Sequence, residues 1–150
     1  VEGIRNDADD LTLGSRLRSH LKGKGCQTFV ADMKLFVEAA DAYFYPDVMV
    51  TCDPRDASAD LAIAHPNLVI EILSEGTAAF DRGNKFAAYR QLPSLVEYLL
   101  VDIEARRLEL YRREADRWWL TVAEGVTQSL RLESVGLDLL VPEAFEDLTA

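Results

Sequence analysis

Leu13, Leu17 and Leu21 recur every four positions after Asp9 and Asp10, the stripe of a helix with one face laid on a core. Gly23 and Gly25 mark its end. Short apolar segments at 26–30 and 34–38 flank Ala31-Asp32-Met33, so the spacing predicts paired strands around a turn, with a third strand at 47–51. Residues 52–67, with two prolines and three aspartates, read as a loop. LVIEIL at 68–73 is apolar at every position but one, the mark of a central strand covered on both faces. Thr77 is an N-cap for a helix running to about Gln91, which Pro93 stops. A second continuous apolar strand follows at 96–101, and 108–111 with 118–122 predict a C-terminal hairpin around the turn EADR. The apolar residues between Gly136 and Phe145 are expected to pack back on the rest.

This order predicts an α/β fold with a mixed central sheet between helices. A length of 150 residues without a linker of boundary quality suits one domain over 1–150. No apolar run approaches the ~20 residues of a membrane span, and VEGIRNDADD lacks the basic start and apolar stretch of a signal peptide. The chain therefore reads as cytoplasmic, with no membrane partner. Cys26 and Cys52 lack metal or redox spacing and read as small buried hydrophobes.

A net charge of −10 argues against a broad basic surface of the kind that binds nucleic acid tightly. Arg106, Arg107, Arg112, Arg113 and Arg117 do cluster, beside Trp118 and Trp119. Such a run can hold phosphates and stack bases, although the polar face of a solvated hairpin has the same composition.

The chemistry concentrates around Glu71. A carboxylate inside LVIEIL costs several kcal/mol to desolvate unless a metal or a lysine stands beside it. Asp47 opens the neighbouring strand, because Pro46 favours extended geometry in the residue before it. Two such acids on adjacent strands make the hard oxygen environment that suits Mg2+ or Mn2+. Asp81 and Lys85 stand four apart on the predicted helix and share a face. Of the lysines, Lys22, Lys24, Lys34 and Lys85, only the last is close in sequence to the Glu71 strand. Each position also has a plainer role: Glu71 in a structural ion pair, Asp47 capping a turn, Asp81 and Lys85 as a surface pair. His20 reads as a satisfied helix-end residue, His65 as an exposed loop residue and Asp102 as a turn residue. No dinucleotide, Walker, zinc-protease or nucleophile-elbow motif is present.

Tyr45-Pro46-Asp47, the run from Leu68 to Ser74, then Thr77, Asp81, Lys85 and Tyr89, then Glu97-Tyr98 and Val101-Asp102, together resemble the Uma family of restriction endonucleases. That family was formerly a domain of unknown function, DUF820, within the PD-(D/E)XK nuclease superfamily. The resemblance covers about Leu13 to Leu140 and implies a restriction-endonuclease-like core. It matches Asp47 to the aspartate of the PD motif and Glu71 to the acid of the next strand, the pair that holds the metal. The superfamily lysine lies two residues after that acid, where this chain has Leu73, so Lys85 on the following helix is its implied substitute. Asp81 becomes an added ligand or an orienting group. Many superfamily members also use an acid from the first helix, near which only Asp9 and Asp10 stand, and the chain is expected to begin inside the family's domain.

The function implied is a metal-dependent endonuclease acting on DNA, catalysed by Asp47, Glu71, Lys85 and Asp81. A homodimer is the simplest way to cut both strands of a duplex. Two alternatives stay open: a catalytically silent nuclease fold that serves as a homo-oligomeric binding module, and a phosphodiesterase acting on RNA or a small molecule.

Overall fold

The computed structural model describes residues 2–31, 33–59, 61–73, 76 and 78–148, with backbone alone for 2–11 and 146–148. In chain order the elements are α1 (Glu2–Leu21), β1 (Gln27–Val30), β2 (Lys34–Val37), β3 (Ala42–Phe44), β4 (Val48–Thr51), β5 (Ala62–Ile63) and β6 (Leu68–Leu73). They continue as α2 (Ala78–Arg82), α3 (Asn84–Tyr89), β7 (Glu97–Asp102), β8 (Arg107–Glu114), β9 (Arg117–Glu124), β10 (Ser129–Leu132) and β11 (Leu137–Leu140). Short 3-10 turns occupy 38–40, 54–56 and 141–148.

Six strands form the main sheet in the order β1-β4-β6-β7-β8-β9. It is mixed, because β6 and β7 run parallel and every other neighbouring pair is antiparallel. The parallel pair requires a crossover, and α2 with α3 supplies it. The continuous apolar runs of β6 and β7 reflect this central position: every residue of β6 is buried, with helix or hairpin on both sides. On one face Val48, Val50, Leu68, Ile70 and Ile72 pack under the α1 stripe and the β10–β11 hairpin. On the other, Met49, Val69, Leu73, Tyr98 and Leu100 pack against Leu35, Val37 and Ile63 of a small β3-β2-β5 sheet and against Phe86 and Tyr89 of α3. Among the described residues no helix is long and apolar enough to cross a membrane.

Four sequence expectations are corrected. β1 and β2 do not pair with each other. Ala31 turns at φ 61° and donates its N–H to the Asp47 carbonyl, which ties the end of β1 to the start of β4. The helix expected to run to about Gln91 is two short helices, broken at Gly83, where a Cβ would meet the Ala79 carbonyl at 3.1 Å. Its proposed cap, Thr77, lies outside the described residues. The C-terminal hairpin expected as an addition is β8–β9, which extends the main sheet, while the tail forms the separate hairpin β10–β11.

The cysteines are the fourth correction. Cys26 and Cys52 are joined in a disulfide, and Cys52 is exposed rather than buried. They lie one step beyond the Gln27–Thr51 pair of β1 and β4, so the antiparallel register sets them opposite each other. Twenty-six positions of separation hid that proximity.

Candidate active site

Glu71 is the fourth residue of β6 and, by strand alternation, shares the face of Val69 and Leu73 turned towards α3. β4 runs antiparallel beside β6 with Val48 opposite Ile70, so Asp47, just ahead of β4, comes level with Glu71. Asp47 Oδ2 accepts a 2.6 Å hydrogen bond from the Ile72 N–H, which fixes the carboxylate against the β6 backbone.

The crossover brings the other members. Lys85 Nζ stands 3.0 Å from Asp81 Oδ1 and 3.4 Å from Glu71 Oε2. Asp81 is buried, its Oδ1 held by this ion pair without a well-aligned hydrogen bond. All four residues singled out in the sequence therefore meet: Asp47, Glu71, Asp81 and Lys85. The side chains of Asp9 and Asp10 lie outside the described residues.

Two tyrosines complete the pocket. Tyr89, fully buried, donates a 2.8 Å hydrogen bond to Glu71 Oε2, and Tyr98 donates to the Asp81 carbonyl at 2.9 Å. The sequence assigned them no role, although Tyr89 follows Lys85 by four positions, the spacing that puts two helical residues on one face. Burial and the neighbouring carboxylates hold both phenols well above the usual tyrosine range.

Charge in this pocket is unbalanced, since one ammonium faces three carboxylates. Burial pushes Glu71 up to about 8, against the attraction of Lys85 and with the added repulsion of Asp47 and Asp81. Asp47 is raised too, chiefly by burial, despite the Ile72 hydrogen bond and Lys85. Burial alone would lower Lys85, but Glu71 and Asp81 outweigh it and raise the ammonium above its ordinary value. At neutral pH burial and the neighbouring acids thus favour the protonated form of Glu71.

Among the described residues no group of three or more His, Cys, Asp or Glu side chains is arranged to hold a metal ion. The pair Asp47 and Glu71 nevertheless has the chemistry of a hard-cation site: two carboxylates side by side, with negative charge that Lys85 does not cancel. A divalent cation there would take the place of the Glu71 proton.

Most arginines of the hairpin cluster are engaged elsewhere. Arg107 pairs with Asp102 and Glu109, and Arg112 with Glu97. Arg113 donates to the carbonyls of Arg90 and Leu92 and lies over the Trp118 ring. Arg106 lies over Phe145, and Arg117 is exposed. Asp102 is a turn residue as expected, accepting the Ala105 N–H, and His20 is satisfied at the helix end by the Val135 carbonyl. His65 is half-buried rather than exposed, its N–H bonded to Asp56.

Known proteins resemble this chain in sequence and fold. The Uma2 family model, described as "Putative restriction endonuclease", matches residues 2–142. Two uncharacterized proteins of Synechocystis sp. are similar: slr1290, 38% identical over 87% of this chain, and sll1609, 43% identical over 63%. The chain spans 68% of the first and 54% of the second. A crystal structure from Anabaena variabilis, titled as a putative nuclease belonging to DUF820, has the same fold. Its TM-score is 0.80 at 17% identity, over 96% of this chain and 82% of that one. The family match along nearly all of the chain, on a shared α/β fold, makes this protein a member of the Uma2 family.

Proposed function

We propose that this chain is a divalent-metal-dependent endonuclease that hydrolyses phosphodiester bonds in DNA, with Asp47 and Glu71 as the ligands of Mg2+ or Mn2+. The observation that carries the reading is the convergence of Asp47, Glu71 and Asp81 on one lysine, which leaves buried negative charge for a cation to neutralise. When bound, such an ion supplies a water of lowered pKa and polarises a phosphoryl oxygen.

The protein groups then have separate tasks. Ile72 N–H and Tyr89 O–H orient the two ligand carboxylates, as partners of metal ligands do. Lys85 places a positive charge at the pocket to stabilise the phosphoryl group as charge develops on it, or to orient the attacking water. Asp81 fixes the ammonium, and Tyr98 fixes the helix end that carries Asp81. Membership of a family described as restriction endonucleases supports DNA as the substrate, a cytoplasmic setting and a homodimer that cuts both strands.

The test is cleavage of plasmid and oligonucleotide DNA with Mg2+ or Mn2+, for the wild type beside Glu71→Ala and Lys85→Ala. The reading requires that the wild type nicks or cuts and that both variants do not. A second reading, a silent nuclease fold used as a binding module, is favoured by the arginines bound to internal acids and carbonyls and by the net charge of −10. It takes the lead if all three proteins are equally inert while folded.

A further inference from the structure

α2 and α3, which carry Asp81 and Lys85, are five and six residues long. Isolated helices shorter than ~12 residues are marginal in water, so contacts with the rest of the fold decide where each one sits. The two are attached differently. α3 buries Phe86, Ala88 and Tyr89, and both rings pack on Tyr98 of β7. In α2 the buried residue is the charged Asp81, while Ala78 is half-buried and Ala79 and Phe80 are exposed. No apolar face of that kind holds α2 down, and the break at Gly83 separates it from the helix that has one.

Arg82 supplies a hold of another kind. Its guanidinium forks onto Glu109, with Nε donating to Oε1 at 3.0 Å and Nη2 to Oε2 at 2.6 Å, and Nη2 also stands 3.4 Å from Asp102 Oδ2. Glu109 lies inside β8 and Asp102 ends β7, so the last residue of α2 is tied to two interior strands of the main sheet. Arg107, on β8 itself, contacts the same two acids from within the sheet and so does not hold the helix. A two-point contact between arginine and carboxylate fixes direction as well as distance. Successive helical residues point ~100° apart, so the fork on Arg82 sets the direction in which Asp81 leaves the helix. The Tyr98 hydroxyl, bonded to the Asp81 carbonyl, fixes the place of that turn but leaves its rotation to Arg82.

We infer that Arg82 is a positioning residue of the pocket: its fork on Glu109 sets the rotation of α2 and so keeps Asp81 against Lys85. α2 provides two neighbours of the Lys85 ammonium, Asp81 at 3.0 Å and the Phe80 ring at 5.5 Å, whereas Glu71 of β6 is the more distant acid at 3.4 Å. When the fork is lost, α3 stays seated by its rings while α2 is free to turn. Lys85 then loses the two groups that confine it and cover it from water. Arg112 and Glu97 form a comparable ion pair across β8 and β7 of the same sheet, but neither strand residue carries a part of the pocket. The inference concerns the geometry around Lys85 and holds whether or not the chain is a nuclease; its consequence for cleavage rests on the function proposed above.

The test is the rate of lysine acetylation, read residue by residue by mass spectrometry. It compares the wild type with Arg82→Ala, Glu109→Gln, the double variant and Arg112→Ala. The Lys85 side chain is 16% exposed, and the exposed Lys22, Lys24 and Lys34 serve as internal references. Arg82→Ala removes the fork from the helix side and Glu109→Gln from the sheet side, so either one carries the test if the other fails to fold. Arg112→Ala removes an ion pair of the same kind away from the pocket. Relative to the reference lysines, Lys85 is expected to acetylate at least ~5-fold faster in Arg82→Ala and in Glu109→Gln, and no faster still in the double variant. In Arg112→Ala its relative rate should match the wild type. Unchanged Lys85 labelling in a folded Arg82→Ala or Glu109→Gln overturns the inference. An equal acceleration in Arg112→Ala overturns it as well, because lost stability alone then explains the effect. So does a double variant whose acceleration is the product of the two single ones, since the residues then act separately. None of these readouts depends on cleavage, so an inert wild type would sink the nuclease reading and leave the labelling to decide this one.

Discussion

Glu71 and Glu109 are both buried carboxylates on strands of the same sheet, and their protons are driven in opposite directions. Glu109 accepts hydrogen bonds from Arg82 at 3.0 and 2.6 Å and from Arg107 at 3.3 Å, and the Arg82 contact first of all holds it below the ordinary carboxylate range. Glu97, with no exposed surface, is similarly surrounded by Arg112, Ser134 and the Glu133 N–H. Glu71 has one lysine at 3.4 Å, one tyrosine hydroxyl, and two further acids competing for that lysine, and burial pushes it up to about 8. Burial of an acid therefore does not mark function by itself. A buried acid whose partners cancel its charge holds the fold together; one left short of positive charge is poised to bind a cation.

Four outcomes would break or sharpen this contrast. Glu71→Gln keeps the shape and removes the charge, and cleavage by the metal-loaded protein should fall at least ~10^3-fold, about 4 kcal/mol at the transition state. Single-turnover rates at saturating Mn2+ measure it. Arg112→Ala should do the reverse, lowering stability to urea by about 2–3 kcal/mol because Glu97 keeps only uncharged donors, while cleavage per folded molecule is unchanged.

The third outcome is a pH dependence. Glu71 titrates near 4.5 when unfolded and about 8 when folded, so the folded state holds the extra proton between those values. The stability this confers is complete below the unfolded value and is lost as pH rises through about 8. Glu71→Gln should match the wild type near pH 5 and exceed it increasingly as pH rises towards 9, as read from urea midpoints. Raised Lys85 does not interfere, since its contribution is lost only above its ordinary value of 10.5. Equal pH profiles for the two proteins would show that Glu71 is charged in the fold and cancel the contrast with Glu109.

The smallest effect belongs to Tyr89→Phe. The Tyr89 hydroxyl favours ionised Glu71, so its loss should raise the pH at which Mn2+ binds by about half a unit, or ~0.7 kcal/mol. Calorimetry in buffers of different ionisation enthalpy should also find about one proton released per ion bound near pH 7.

Much of this was legible in the chain. LVIEIL announced both a central strand and an expensive acid, because a run apolar at every position but one leaves its single carboxylate nowhere to be solvated. The spacing of Asp81 and Lys85 announced a shared face, and that relation survives the break at Gly83. The partner of β1 was not legible, because the apolar alternation of a strand says which face is buried and not which neighbour it takes. The disulfide was hidden for the same reason, since it follows from the register of β1 on β4.

The sequence by itself determined the α/β class, the central strand and the four residues of the pocket, which rest on local pattern and on the cost of burying charge, and its motifs taken together carried the resemblance to the family. The tertiary structure alone decided how charge is shared. It spent most of the hairpin arginines on Glu97, Glu109 and backbone carbonyls, and gave Tyr89 to Glu71. Pairing between distant residues depends on strand order and register, and these are settled by the packing of the whole chain rather than by any segment of it.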